Sequence, residues 1–181
     1  MEPKTISQSM VIWLTGLSGA GKTTLATGLE KRLIESNTPV ILLDGDVLRE
    51  GLNSNLGFSE QDRLENIRRA AEVAKLFANK GFLTICSFIT PLEQMRELAK
   101  KIIGTDHYLE VFVDCSIETC EKRDVKGLYR KARLNEVKNF TGISSGFEKP
   151  LNPALVINSE QQTIDESLDL ILNFYLSKIT L

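Results

Sequence analysis

An eight-residue segment near the start of the chain carries the residue types that bind nucleotide phosphates. It matches the pattern G-x-x-x-x-G-K-[ST] and consists of Gly16, Leu17, Ser18, Gly19, Ala20, Gly21, Lys22 and Thr23. Glycines let the backbone wrap around phosphate oxygens with successive N–H groups pointing inward. The lysine reaches the β- and γ-phosphates, and the hydroxyl after it coordinates Mg²⁺. The segment therefore predicts a site for Mg²⁺ and ATP, with Thr24 as a further ATP contact.

A phosphate loop alone does not separate kinases from GTPases or motor proteins. The sequence has no guanine-specific N-K-x-D segment, because Asn79-Lys80 is followed by Gly81-Phe82. A chain of 181 residues also leaves no room for the large insertions of motor proteins. A small-molecule kinase is the common class that remains.

Two acids, Asp44 and Asp46, flank Gly45 directly after a second apolar run. In α/β sheets the carboxyl ends of strands face the ligand crevice. Carboxylates there hold Mg²⁺ or accept the proton of an acceptor hydroxyl. Asp-Gly is also a common turn pair, so the residues alone leave a solvated turn as an equal interpretation.

Two further clusters have the chemistry to hold an anionic acceptor. In the first, Phe58 stands near Arg49 and Arg63, and a flat ring beside arginines suits an adenine with anionic groups. A phenylalanine packed under the following helix explains Phe58 equally well. In the second, residues 123–133, five of eleven residues are basic in a chain of formal net charge −2. Such a run is usually exposed surface, but its place after the fourth strand favours a lid over the phosphates.

Five short apolar runs must position these clusters, at residues 11–15, 40–43, 82–89, 108–113 and 154–157. Because the runs are nearly continuous rather than alternating, they predict a parallel sheet buried on both faces. Helical patterns lie between them, over Lys22–Glu35, from Ser59 onward and over residues 163–179. Strand–helix alternation along the whole chain predicts one α/β doubly wound domain over residues 1–181.

Composition excludes other classes of function. The small net charge gives no overall field for nucleic acid or membrane, and no apolar run approaches the ~18–20 residues that span a bilayer. Cys86, Cys115 and Cys120 form no C-x-x-C pair, which is typical of reduced, buried thiols in a cytoplasmic protein. With His107 as the one histidine, no zinc site is expected.

The clusters, in this order, resemble the adenylylsulfate (APS) kinase family, whose members phosphorylate the 3′-hydroxyl of APS to give PAPS in sulfate assimilation. The matching segments run from Val11 to Asn158 and are GLSGAGKTT, LLDGDVLREGLNSNLGFSEQDRLENIRR, EVFVD, KRDVKGLYRKAR and NFTGI. The resemblance implies a P-loop NTPase three-layer sandwich with a five-stranded parallel sheet in the order 2-3-1-4-5. It also implies ATP and APS as substrates and, commonly, a homodimer.

The resemblance further implies roles for individual residues. Lys22, Asp46 and Thr90 would be catalytic, Thr23 and Asp46 would hold Mg²⁺, and Arg130 would join the ATP contacts from the lid. Phe58 and Phe140 would sandwich the APS adenine. The full set of expected acceptor contacts is Asp44, Asp46, Arg49, Phe58, Arg63, Asn66, Ile89, Lys126, Leu128 and Phe140.

One segment departs from the family. The family pattern after the third strand is F-I-S-P-[YH]-R, and the sequence here is FITPLE over residues 88–93. Thr90 keeps a hydroxyl where the family has a phosphorylated serine, whereas Glu93 replaces an arginine and removes a potential anion contact. In-line transfer needs no phosphoenzyme. Two alternatives stay open, a kinase of this family for another nucleotide acceptor such as cytidine diphosphoramidate, and a non-catalytic nucleotide-binding module.

Overall fold

The computed structural model describes residues 9–179; the domain expected over 1–181 also includes residues 1–8 and 180–181, which lie outside the described part. Five parallel strands form one sheet in the order β2-β3-β1-β4-β5, which confirms the predicted topology. The strands are β1 Val11–Thr15, β2 Val40–Asp44, β3 Leu83–Ser87, β4 Tyr108–Asp114 and β5 Leu155–Asn158. The run 82–89 is longer than β3, because its last two residues enter a loop at the edge of the site.

Helices cover both faces of the sheet and give the three layers of the expected sandwich. Within residues 9–179 they are α1 Lys22–Glu35, α2 Gly45–Glu50, α3 Glu60–Ala78, α4 Glu93–Ile103, α5 Ile117–Arg123, α6 Leu128–Arg133 and α7 Ile164–Ile179. α3 begins where the sequence predicts, since the Ser59 hydroxyl accepts a hydrogen bond from the Asp62 backbone N–H at 3.1 Å. This cap satisfies one of the free N–H groups at the helix start.

Two apolar clusters fix the sheet between its helices. One cluster joins the sheet to α1 and α7, and the other joins it to α3 and α4. β1 is buried on both faces, and Trp13 within it is fully buried and stacks on Phe88 with ring centroids 5.0 Å apart. The three cysteines are buried and unpaired, as expected. Over residues 9–179, no helix combines the length and apolar character needed to cross a membrane.

Candidate active site

A cleft of about 820 Å³ lies at the carboxyl ends of the strands, where β1 leads into the phosphate loop, residues 16–23. Six basic and three acidic residues line it, so a chain of net charge −2 has a locally basic site. Most of the expected site residues meet in this lining: Ser18, Gly19, Gly21, Lys22, Thr23, Thr24, Asp44, Asp46, Arg49, Phe58, Arg63, Asn66, Ile89, Thr90, Lys126, Leu128 and Phe140.

Four expected nucleotide contacts lie outside that lining. Gly16 and Ala20 are buried where the phosphate loop packs on the core, and Leu17 faces a neighbouring groove of about 590 Å³. The Arg130 side chain is exposed on α6. Backbone groups of the loop do the binding in this motif, so the burial of Gly16 and Ala20 is compatible with their expected role.

The phosphate loop is shaped by its glycines. Gly19 and Gly21 have left-handed backbones with φ of 78° and 103°, and α1 starts directly after Gly21. At Gly16, φ is 150° and an added Cβ would lie 2.5 Å from the Val113 carbonyl oxygen. A side chain there would displace the loop from β4, so the close approach requires glycine.

Lys22 is buried in the floor of the cleft, with only 8% of its surface exposed. Its Nζ donates a hydrogen bond to the Leu17 carbonyl at 2.7 Å, which points the ammonium group back along the loop. Burial lowers the pKa of Lys22 to about 8, although Cys120, Asp44 and Asp46 counteract this shift. A desolvated cation at the end of the phosphate loop is well placed to receive phosphate oxygens.

The two acids at the end of β2 and the start of α2 have different partners. The Asp44 carboxylate accepts hydrogen bonds from the Thr23 hydroxyl at 2.9 Å and from the Asp46 N–H at 2.9 Å. The Asp46 carboxylate pairs with Lys126 instead. A hydroxyl and a carboxylate at the end of a phosphate loop are the oxygen ligands that Mg²⁺ accepts beside phosphate and water. The donor set thus fits Mg²⁺, and Asp44 rather than Asp46 is the acid that contacts Thr23.

The basic segment 123–133 contributes lining residues to the cleft and is tied to the phosphate loop. Arg123 donates to the Gly19 carbonyl at 3.3 Å, and the Tyr129 hydroxyl donates to the Ser18 carbonyl at 2.9 Å. Between these anchors Val125 is 88% exposed, and Lys126 reaches across to Asp46. The segment is therefore anchored at both sides with an exposed turn between them, which is the arrangement expected of a lid.

Phe58, on the acceptor side of the cleft, has two arginine side chains against its ring. The Arg49 and Arg63 guanidinium carbons lie 4.5 Å and 5.6 Å from its ring centroid. Its side chain is 54% exposed, so packing beneath the following helix does not explain it. Arg63 also donates to the Asn139 carbonyl at 2.6 Å, next to Phe140. The cleft thus brings both expected aromatic residues to one region, with cations beside them.

The departing segment, residues 88–92, forms the loop between β3 and α4, and Glu93 begins α4. Ile89, Thr90 and Pro91 line the cleft, but Glu93 does not. Its carboxylate pairs with Arg96 at 2.5 Å, and its N–H donates to Glu148 at 2.7 Å. The charge reversal at position 93 is therefore met by a neighbouring arginine within the fold.

Sequence reasoning missed two contributors, the buried arginine Arg96 and the Trp13 indole. Trp13 packs in the core as predicted, but its Nε1 also donates to the Thr90 hydroxyl at 2.9 Å. Arg96 contacts Glu93 and lies 3.5 Å from Glu110, whose pKa is raised to about 7 because burial outweighs the effect of Arg96. No local motif marks an arginine that acts through tertiary contacts.

A parallel sheet in this order, with a phosphate loop after its central strand and a lysine and hydroxyl at the helix start, defines a P-loop kinase domain. The Adenylylsulphate kinase family model matches residues 8–158. The chain belongs to the adenylylsulfate kinase family. An adenylyl-sulfate kinase of Bacteroides thetaiotaomicron is 54% identical over 171 residues, which cover 94% of this chain and 85% of that protein.

Solved structures agree with this placement. The Mycobacterium tuberculosis APS kinase CysC in complex with AMPPNP and APS has a TM-score of 0.90 and 42% identity, over 93% of this chain and 98% of that one. A hexameric APS kinase from Thiobacillus denitrificans has a TM-score of 0.73 and 30% identity, over 98% of this chain and 30% of that one. Both structural matches cover more than nine-tenths of this chain.

Proposed function

We propose that this chain is an adenylylsulfate kinase, which transfers the γ-phosphate of ATP to the 3′-hydroxyl of APS and gives PAPS and ADP. One observation carries the proposal: a single cleft joins the phosphate loop at Lys22 and Thr23 to the aromatic, arginine-rich cradle around Phe58. The first half suits a triphosphate donor, and the second suits a nucleotide that carries further negative charge.

On the donor side, the loop N–H groups and Lys22 would bind the β- and γ-phosphates. The Thr23 hydroxyl and the nearby Asp44 carboxylate would hold Mg²⁺, directly or through water. The ion would supply neutralisation of charge on the phosphate oxygens. Because Lys22 is already desolvated, its attraction to the transferring phosphoryl group is stronger than it would be in water.

On the acceptor side, Phe58 and Phe140 would hold the adenine between them, with Ile89 and Leu128 as apolar walls of the same cleft. Arg49 and Arg63 would bind the phosphosulfate group, and Asn66 would contribute a polar contact. Asn66 is held by a hydrogen bond from Asn53 Nδ2 at 2.9 Å, which fixes its amide orientation. Stacking and charge would thus position the 3′-hydroxyl for in-line attack.

Asp46 and Lys126 would act together in the transfer itself. Their ion pair joins the lid to the acceptor side and neutralises both groups. We propose that the bound phosphates attract Lys126 toward the donor, which leaves the Asp46 carboxylate to accept the 3′-hydroxyl proton. The new bond joins the 3′-oxygen to the γ-phosphorus. The bond between that phosphorus and the β–γ bridging oxygen breaks, and ADP leaves with the bridging oxygen.

The other acceptor considered from the sequence, cytidine diphosphoramidate, rested on Thr90 and Glu93. Glu93 turns to Arg96 outside the cleft, and Thr90, which lines the cleft, keeps the hydroxyl of the family serine. The deciding experiment incubates the purified chain with MgATP and a panel of APS, cytidine diphosphoramidate and ordinary nucleotides. We expect ADP release to be fastest with APS. A preference for another acceptor, or ATP binding with no transfer, would overturn the proposal.

Three further expectations belong to this proposal. We propose that residues 1–181 form one kinase domain, that the chain works as a homodimer, and that it acts in the cytoplasm without nucleic acid or membrane partners. Sedimentation of the purified chain tests the dimer. A monomer or a larger assembly at micromolar concentration would contradict it.

A further inference from the structure

Thr90 has an unusual backbone for its residue type. Its φ is 44°, in the left-handed region that β-branched residues avoid because Cβ approaches the neighbouring carbonyl. Its side chain lines the cleft, although only 1% of the residue is exposed. A strained residue persists only where its surroundings hold it, and such residues cluster at functional sites.

Two hydrogen bonds hold Thr90 in this conformation. The Trp13 indole donates to its hydroxyl at 2.9 Å, and Arg96 Nη1 donates to its carbonyl at 3.0 Å. One donor comes from β1 and the other from α4, so the contacts fix the 88–92 loop between a strand and a helix.

The same loop is bonded to the first residues of the phosphate loop. The Ile89 carbonyl accepts hydrogen bonds from the Thr15 hydroxyl at 2.7 Å and from the Gly16 N–H at 3.3 Å. A change in the conformation of Thr90 would move the Ile89 carbonyl and with it the anchor of Gly16. The position of the phosphate loop therefore depends on the conformation of the 88–92 loop.

Arg96, which holds the Thr90 carbonyl, is a buried charged residue. It is 1% exposed and lies outside the cleft lining, and two carboxylates face it, Glu93 at 2.5 Å and Glu110 at 3.5 Å. Glu93, which accepts hydrogen bonds from Arg96 Nε and Nη2, compensates this desolvation and orients the guanidinium so that Nη1 meets the Thr90 carbonyl. Arg96 does not line the cleft itself, and it contacts the lining at the Thr90 carbonyl.

We propose that Arg96 is a positioning residue for phosphoryl transfer: it holds Thr90 in the left-handed conformation and thereby fixes the 88–92 loop against the start of the phosphate loop. This inference rests on the proposed function for its activity readout. In this inference the Thr90 hydroxyl accepts the hydrogen bond of the Trp13 indole and has a structural role, so it is not a site of covalent phosphorylation.

A double-mutant cycle of Arg96→Met and Thr90→Gly tests the inference. Glycine adopts positive φ at no steric cost, so a chain with Thr90→Gly no longer needs Arg96 to oppose strain. We expect Arg96→Met to lower kcat roughly 30-fold with Thr90 present but only about threefold with Thr90→Gly. The KM for APS should stay within about twofold, because Arg96 lies outside the cleft. Equal fold-losses in both backgrounds would overturn the inference.

A second cycle covers the case in which Arg96→Met does not fold. Arg96→Lys keeps the positive charge opposite Glu93 and Glu110 but loses the fork of donors. The same cycle with Arg96→Lys must again show a smaller loss beside Thr90→Gly, and additive losses would overturn the inference. Arg32→Met is the matched control, because Arg32 also pairs with two carboxylates, Asp165 and Asp169, but on the surface. It should leave kcat unchanged.

Trp13 supplies a readout that needs no substrate, since it is the one tryptophan of the chain. Thr90→Val removes the hydroxyl acceptor with little change of shape and sets the reference emission of an unbonded indole. Arg96→Met should shift the emission toward that reference, and Arg32→Met should not. An emission maximum unchanged by Arg96→Met would contradict the coupling between Arg96 and Thr90.

Emission and the affinity for an ATP analogue separate this inference from the proposed function. If the wild-type chain does not phosphorylate APS, the proposed function fails, and the cycle is then measured on analogue affinity. A weaker affinity in Arg96→Met that is relieved beside Thr90→Gly would still support the positioning role. An affinity that is unchanged, or reduced equally in both backgrounds, would overturn it.

Discussion

The loops that follow the neighbouring strands β1 and β3 lie side by side at the carboxyl ends of the strands, yet different kinds of contact hold them in place. The phosphate loop after β1 shapes its site with backbone groups, and its glycines adopt conformations that cost them little. The 88–92 loop after β3 instead holds a strained threonine through side chains from β1 and α4. A donor site can thus be a local backbone structure, whereas the acceptor wall depends on residues distant in sequence.

The largest expected effect comes from removing the one buried cation of the phosphate loop. Lys22→Ala should lower kcat/KM roughly 10³-fold, because the transferring phosphoryl group loses a desolvated positive partner. A coupled assay of ADP release measures this, with the exposed Lys31→Ala on the same helix as control. Turnover of Lys22→Ala close to wild type would contradict the role of the phosphate loop as the ATP site.

The next effect tests the backbone itself. Gly16→Ala places a Cβ 2.5 Å from the Val113 carbonyl oxygen, so the loop must move away from β4. We expect kcat/KM to fall roughly 10²-fold, as misplacement by about 1 Å can cause. Gly51→Ala is the control, since its added Cβ meets no atom within 4 Å. Equal activities of the two variants would show that the close approach at Gly16 is unimportant.

A smaller, selective effect should follow from Phe58→Ala on the acceptor side. Loss of one aromatic stacking partner should raise the KM for APS roughly 10-fold and leave the KM for ATP nearly unchanged. Steady-state kinetics with each substrate varied in turn separate the two constants. Leu76→Ala is the control, because it also removes an exposed apolar side chain but lies on α3, away from the cleft lining. A matching rise in the KM for ATP would argue against adenine stacking on Phe58.

The smallest effect on the KM for APS is expected for Glu93→Arg, which restores the family residue. Because Glu93 contacts Arg96 rather than the cleft, the KM for APS should change by about twofold or less. The melting temperature should fall by roughly 3–6 °C, since the buried Arg96 loses a carboxylate partner.

Glu97→Arg makes the same charge reversal on an exposed face of α4 and is the control. A tenfold lower KM for APS in Glu93→Arg would show that position 93 does reach the acceptor.

The sequence predicts most of the fold because its signals are local. Apolar runs mark the five strands, the phosphate-loop motif marks the start of α1, and Ser59 with Asp62 marks the start of α3. About half of the residues that line the cleft were also predicted, from motifs and from the family resemblance. Phe58 could not be decided from sequence alone, since only its exposure separates a ligand platform from core packing.

The parts that could not be predicted depend on tertiary contacts. Glu93 looks like a lost anion contact until Arg96 is seen beside it, three residues further along α4. Trp13 and Thr90 are 77 positions apart, so no spacing rule connects the indole to the hydroxyl. Hydrogen bonds of this kind are set by strand order and helix packing, which a single sequence does not encode in a local motif.

The most direct test of the account is the position of the new phosphate on the product. After reaction of the wild-type chain with MgATP and APS, two-dimensional ¹H–³¹P NMR of the purified product reports which ribose proton couples to the added phosphorus. The account predicts coupling to H3′ and one ADP per product molecule. Phosphate on another oxygen, or no phosphorylation of APS by a chain that binds ATP, would contradict it.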